Sequence, residues 1–312
     1  MTEAVVSFDT HLQELADASQ PLAASKLAGL SNLETDQAAR FTEVWLEMGP
    51  ARRESLIETL IDLAEDNVEL NFDAVFFVAL ADEEAGARRA AIRGLWEHEG
   101  RDLIDPLAGL LEGDGDAGVR AEAALALGRF VLQAELGRLP AAHAERVERA
   151  LRRSVDDASE VSEVRGRALE SLGALGRPWV SDLIRQAFAS LERRLRLSAL
   201  QAMGRSCDAA WLPTLLPELE SDDAEARFEA AGALGAIANE AATPHLLPLL
   251  HDDDAEAQEA AIAALGQIGT KEAKEALNDL LIAGDERVRE AATTALAEAD
   301  FAEDPPGFMP SE

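Results

Sequence analysis

Between Arg165 and Arg289 this chain repeats itself every 31 residues, a regularity that few folds accept. Arg165, Arg196, Arg227, Gln258 and Arg289 occupy one column. Three positions later stand Ala168, Ala199, Ala230, Ala261 and Ala292. Seven positions later stand Leu172, Met203, Leu234, Leu265 and Leu296, and eight later Gly173, Gly204, Gly235, Gly266 and Ala297. A fixed period of this size requires stacked copies of one supersecondary unit, each resting on its neighbours, rather than a globule around one core.

The frame runs on towards the N-terminus with less regularity. Arg120, with Ala123, Leu127 and Gly128, fits every column but lies 45 residues before Arg165, so one unit carries 14 extra residues. Arg88, with Ala91 and Leu95, fits 32 residues earlier, although Trp96 stands where the glycine belongs. Arg53, with Leu56 and Leu60, is a degenerate match 35 residues before that. Each unit reads as two helices. In the clearest one, residues 243–250 are a short first helix, residues 251–254 a turn, and residues 255–268 the second helix. Asp253 with Glu256, and Asp222 with Glu225, have capping-box spacing. Gly266 and Gly269 close the second helix, and the first of the two lets a neighbouring helix come close. No stretch alternates with period two for long enough to make a sheet, so the expected class is all-α.

These residues resemble HEAT repeats of the short type found in phycobilisome lyase subunits. The shared pattern is Asp, then Arg four residues on, Ala-Ala, and Ala-Leu-Gly, clearest at 223–235, 254–266 and 285–297. The resemblance covers residues 80–298 and implies an α-α superhelix, an armadillo-like solenoid of seven to eight helical hairpins. The expected organisation is a helical N-terminal cap over residues 1–49, with Phe41 and Trp45 sealing the first unit. A solenoid follows over 50–299, with its insertion at 135–160, and then an acidic disordered tail over 300–312. In that tail Phe308 and Met309 read as part of a frayed end, with a short docking motif as the alternative.

Composition narrows the function. Apolar residues make up 47% of the 312 residues but aromatics only 4%, so the core is built from Ala and Leu, as closely stacked helices require. The net charge is −32, and residues 213–312 alone carry 23 acids against 5 bases. Phosphate backbones and anionic membranes call for a basic face, so neither a nucleic-acid nor a membrane partner is expected. No window approaches the roughly 20 apolar residues of a membrane span. The first ten residues lack the basic and apolar regions of a signal peptide, which points to the cytoplasm.

The periodic arginine lies at the edge of the apolar helix face. The resemblance implies an Asp–Arg ladder through Arg120, Arg165, Arg196, Arg227 and Arg289. Each guanidinium is expected to meet the aspartate four residues earlier (Asp116, Asp223, Asp254, Asp285) or one in an adjacent unit. Gln258 breaks that column. Positions +1, +5 and +9 from each arginine lie opposite the core, and the resemblance places them on the concave face. Leu197 and Phe228 fall there on adjacent units, with Gly232 and Ala263 beside them, Glu259 and Glu290 forming an acidic end, and Arg205 at +9. An apolar anchor beside an acidic rim suits a peptide or protein carrying one hydrophobic and several basic residues. The arginines of the insertion, Arg138, Arg146, Arg149, Arg152 and Arg153, read as a salt-bridged surface with Glu145 and Glu148.

No chemistry stands out. Cys207 is the one cysteine and reads as a small buried residue, with no disulfide or zinc set. Deoxyhypusine hydroxylase, an enzyme built from this kind of repeat, uses His-Glu dyads to hold two irons. The matching positions here are Gln258-Glu259 and Arg289-Glu290, so no metal or cofactor is expected. The expectation is a non-catalytic scaffold for another protein. The lyase resemblance adds a tetrapyrrole-binding subunit as an alternative, and a structural homodimer is a third.

Overall fold

The computed structural model describes residues 8–303, and among them the secondary structure is helical throughout, with no strand. Residues 304–312, with Phe308 and Met309, lie outside the described residues, as do residues 1–7. The chain divides into two compact units, one of residues up to Leu127 with Glu145–Ala150, the other of Gly128–Ala144 and everything from Leu151 onward.

In the first unit, α1 (Phe8–Ala16), α2 (Ala24–Leu27) and α3 (Thr35–Glu47) precede α4 (Pro50–Asp66), α5 (Asp73–Ala79), α6 (Ala85–Gly94) and α7 (Ile104–Gly113). Helix α1 packs on α3, α3 on α5, and α4 on α6. The stacking of first helices therefore begins at α3, inside the stretch expected to be a cap. Phe41 and Trp45 of α3 are buried, with ring centroids 5.7 Å apart. Trp45 donates its indole N–H to Asp82 Oδ2 at 2.8 Å, and the same oxygen accepts from Arg53 Nη1 at 2.9 Å. This satisfies a buried indole and ties α3 and α4 to the turn that follows α5.

Helices α8 (Ala117–Glu135) and α9 (Ala141–Asp156) contain residues of both units. The 14 extra residues are taken up by lengthening these two helices, with Gly137 in the left-handed turn between them (φ 69°). Here the expected salt-bridged surface takes a different form. Arg146 forks onto Glu112 at 2.8 and 2.9 Å, and Arg152 stacks on Trp179 with its guanidinium carbon 4.7 Å from the ring centroid.

The second unit continues with α10 (Ser162–Leu172), α11 (Pro178–Phe188), α12 (Arg193–Arg205), α13 (Leu212–Glu218), α14 (Ala224–Ile237), α15 (Thr243–Leu246), α16 (Ala255–Ile268), α17 (Lys271–Ala283) and α18 (Glu286–Glu303). Helices α10, α12, α14, α16 and α18 stack directly on one another, and α11, α13, α15 and α17 lie against them. The periodic arginine always falls on the second helix of a pair. The first helix expected over 243–250 is α-helical only to Leu246 and then tightens into a 3-10 turn over Leu247–His251. Pro248 has no N–H to continue the α ladder. Helix α18 runs to Glu303, beyond the expected boundary at 299.

The glycine column has a backbone reason. A Cβ on Gly173 would stand 2.7 Å from Ala202 O; on Gly204, 2.7 Å from Ala233 Cα; on Gly235, 2.8 Å from Ala264 Cα; on Gly266, 2.7 Å from Ala295 O. Each glycine is thus the point where the next second helix touches, always 29 residues ahead. Ala297 occupies the column in the last described unit, where no further helix among the described residues presses on it.

The arginine ladder takes its aspartates from the adjacent unit, the second of the two expected arrangements, and not from four residues earlier. Arg88 donates through Nε and Nη2 to Asp114 at 2.7 Å each and through Nη1 to Asp82 O at 2.7 Å. Arg227 repeats this on Asp252, at 2.7 Å twice, and on Ser221 O at 2.8 Å. That guanidinium holds the Asp252 carboxyl below the usual carboxylate range. The aspartates four residues before the arginine cap helices instead, because their carboxylates sit over the orphan amides of the first turn. Asp254 accepts from Glu256 N at 3.1 Å and Ala257 N at 3.0 Å, Asp223 from Glu225 N at 3.1 Å, Asp116 from Val119 N at 2.9 Å and Asp285 from Val288 N at 2.9 Å. The caps therefore stand one residue after the expected Asp222 and Asp253.

Further along, Arg165, Arg196 and Arg289 lack that aspartate fork. Arg120 donates to Asp114 O at 2.7 Å, Arg165 reaches Val155 O at 3.2 Å and Glu192 at 3.5 Å, and Arg196 approaches Glu218 only to 3.8 Å. Arg289 is exposed, with Gly284 O at 3.3 Å. Within the 31-residue units the residue 25 positions ahead decides the outcome: it is Asp252 for Arg227 but Ser190 for Arg165 and Ser221 for Arg196. Beside Arg196, Arg193 takes over and forks onto Asp223 at 2.7 Å twice. Gln258 donates to Leu250 O at 2.7 Å, keeping the carbonyl contact without the charge.

Candidate partner-binding surface

The exposed side of the stacked second helices in the second unit is built from positions −2, +1, +2, +5 and +9, which share one helical face. Its content changes along the stack. At α10–α12 the face is an ionic network. Glu170 of α10 is 1% exposed, accepts from Arg167 Nη1 at 3.1 Å and Ser198 Oγ at 2.7 Å, and forms an ion pair with Arg194 Nη2 at 2.8 Å. The Gln201 amide, with its nitrogen towards Glu170, lies 2.8 and 3.1 Å from the two carboxylate oxygens. Arg194 also reaches Glu163 Oε2 at 2.6 Å, and Arg167 reaches Glu163 Oε1 at 3.1 Å. Two guanidinium groups thus balance two carboxylates. Glu229 of α14 adds a third, and burial, with the charges of Glu170 and Glu225 behind it, pushes its carboxyl up to about 7.

This network overturns the expected apolar middle of the groove. Leu197 is 3% exposed and lies with Phe188, Leu200 and Ala226. Phe228 remains 38% exposed. Only one of the two expected anchors is therefore available. Gly232, one turn on from Phe228, has nothing within 4 Å of where a Cβ would stand, so the floor beside the ring is open. Arg205 is exposed on α12, with its Nη1 3.4 Å from the Cβ position of Gly128, away from Phe228. Cys207, expected to be buried, is exposed at the end of α12 in a left-handed conformation (φ 50°). Ala238 (φ 52°) and Gly269 (φ 67°) hold the same place in the next two units.

At α16–α18 the face opens into a cleft of about 360 Å³. Glu259, Ala263 and Glu290, three of the sequence-chosen residues, line it together, with Ile262, Ala291, Thr294, Ala295 and Glu298. Its floor is alanine and isoleucine, and its walls are carboxylates. Arg287 closes one corner by donating to Glu259, to Gln258 Oε1 at 2.6 Å and to Ala255 O at 3.2 Å. Among the described residues no basic side chain stands against Glu290 or Glu298.

Sequence reasoning missed Glu163, Arg167, Arg194, Ser198 and Glu229. A signal was there: Glu163, Arg167 and Glu170 follow the i, i+4, i+7 spacing of one helical stripe, and Arg194 falls 31 residues after Glu163, in the same column. Among the described residues no group of His, Cys, Asp and Glu side chains converges as metal ligands would, and no helix is long and apolar enough to cross a membrane.

Comparison with known proteins places these features in a family. The model of HEAT repeats matches residues 74–142, 180–265 and 212–297, more than half of the chain. No curated protein matches. Among solved structures, YibA of E. coli aligns at 19% identity over 79% of this chain and 96% of its own, with a TM-score of 0.44. Human deoxyhypusine hydroxylase aligns at 19% identity over 94% of this chain and 96% of its own, with a TM-score of 0.37. A chain of the Kap95p–RanGDP structure aligns at 15% identity over 94% of this chain but 41% of its own, with a TM-score of 0.45. With stacked second helices and a repeat model matching more than half of its length, the chain belongs to the HEAT-repeat family.

Proposed function

We propose that this protein is a non-catalytic, cytoplasmic scaffold that binds a partner protein or peptide of basic character on the exposed face of α14, α16 and α18. HEAT repeats generally mediate protein binding, and the lyase-type length of 31 residues gives a shallow, closely spaced version of that surface. One observation carries the reading. The uncovered strip of Phe228, Gly232 and Ala263 leads into a cleft walled by Glu259, Glu290 and Glu298. An aromatic side chain beside small residues offers a hot spot, and the carboxylates favour a basic partner and speed its arrival.

Crosslinking and mass spectrometry on complexes captured at low salt test this directly. Wild type is compared with a Phe228→Glu/Ala263→Glu variant whose helicity and melting temperature match it. Partner crosslinks that map to α14–α18 and vanish in the variant support the reading. Crosslinks confined to other elements, or unchanged in the variant, refute it.

A further inference from the structure

Within that reading, on which this inference rests, the α16–α18 cleft has a more specific shape. Its two free carboxylates, Glu290 and Glu298, stand eight residues apart on α18, about 12 Å at 1.5 Å rise per residue. Between them the floor is Ala291, Ala295, Ile262 and Ala263, low enough for a main chain to settle on. Thr294, the polar residue midway, already donates its hydroxyl to Glu290 O at 3.2 Å. The cleft therefore offers charge at both ends and an apolar centre.

An extended segment rises about 3.3 Å per residue and turns alternate side chains to one side. Residues i and i+4 of such a segment face the same way about 13 Å apart, with i+2 between them. We propose that the cleft receives an extended segment of a partner protein with the pattern basic, any, small apolar, any, basic. The two cations meet Glu290 and Glu298, and the apolar side chain rests on the alanine floor.

A second copy of this chain does not present that segment. Its own matches, Arg89-x-Ala91-x-Arg93 and Arg149-x-Leu151-x-Arg153, are wound into α6 and α9 with Ala91 and Leu151 buried. The net charge of −32 also sets two copies against each other.

The probe is a fluorescein-labelled nonapeptide of glycine and serine with lysines at its third and seventh positions and valine at the fifth, read by anisotropy against the full chain. A peptide with the same two lysines placed next to each other controls for bulk attraction to an acidic protein. The spaced peptide is expected to bind at least about tenfold more tightly than the control, one decade of affinity. Glu290→Gln/Glu298→Gln should reduce it to the control, and Ala291→Trp, which fills the floor and keeps the charges, should do the same. Equal affinity for both peptides, or a spaced peptide indifferent to these variants, overturns the proposal. If that happens while partner crosslinks still map to Phe228 and its neighbours, only the cleft assignment falls. Loss of all crosslinks to α14–α18 removes the binding reading itself.

Discussion

At position +5 the α10–α12 stretch carries Glu170 and Gln201, whereas the α16–α18 stretch carries Ala263 and Thr294. The two stretches share the same stacking, with the same glycine-to-helix contact 29 residues ahead. In the first, the face is spent on itself: two guanidinium groups and two carboxylates neutralise each other around the buried Glu170, and little remains for a partner. In the second, the face is left open, with carboxylates walling an alanine floor. A repeat scaffold thus separates stability from recognition. The columns that hold the stack together are fixed, and the columns beside them can be closed internally or left for a ligand.

The contrast predicts unequal responses to the loss of a carboxylate. Glu170→Ala leaves Arg167 and Arg194 with Glu163 alone and Ser198 without its acceptor, and should cost about 1–3 kcal/mol. Glu290→Ala should stay within about 0.5 kcal/mol. Urea midpoints measured side by side decide it, and a Glu170→Ala variant as stable as wild type would break the comparison.

Two glycines of α14 sharpen the distinction between stack and face. Gly235→Ala drives a methyl into the α16 backbone and should destabilise by about 1–3 kcal/mol. Gly232→Ala, three residues away on the open side, should stabilise by up to about 1 kcal/mol through helix propensity. Opposite signs are expected in thermal melts, and equal losses would mean that the face is packed after all.

Glu229 makes the closed stretch sensitive to pH. Its carboxyl titrates at about 7 in the folded chain against an ordinary 4.5, so folding favours its protonated form. The stability this contributes is complete below pH 4.5 and disappears as pH rises through about 7. Glu229→Gln should therefore melt close to wild type at pH 4.5 and progressively above it towards pH 8. A constant offset across that range would show that Glu229 does not titrate there. A further effect belongs to the helix ends. Ala238→Gly should gain about 1 kcal/mol by relieving the left-handed alanine that Gly269 avoids one unit later, measurable as a rise in denaturation midpoint.

Much of this was legible in the chain itself. The columns of Arg, Ala, Leu and Gly place the second helices, and residues 255–268 are helical as their pattern implies. The ladder's gaps were legible too, had the residue 25 positions ahead been read: Asp252 completes a rung where Ser190 and Ser221 leave one open. Helix caps were misplaced by one residue because Asp222 and Asp223, like Asp253 and Asp254, are adjacent in sequence. Only φ and ψ at the helix start decide which of two neighbouring carboxylates lies over the orphan amides.

The sequence by itself determined the unit, its length and its stacking, because a period repeated in step over five units leaves one way to bury each apolar face. Only the tertiary structure decided which exposed positions remain exposed. Leu197 and Phe228 hold equivalent positions, yet one is covered and the other open, and Glu170 is buried where Ala263 is bare. Accessibility of a side chain on a stacked helix depends on the neighbour's side chains as well as its own column. Those contacts form between units about 30 residues apart, beyond the reach of any local pattern.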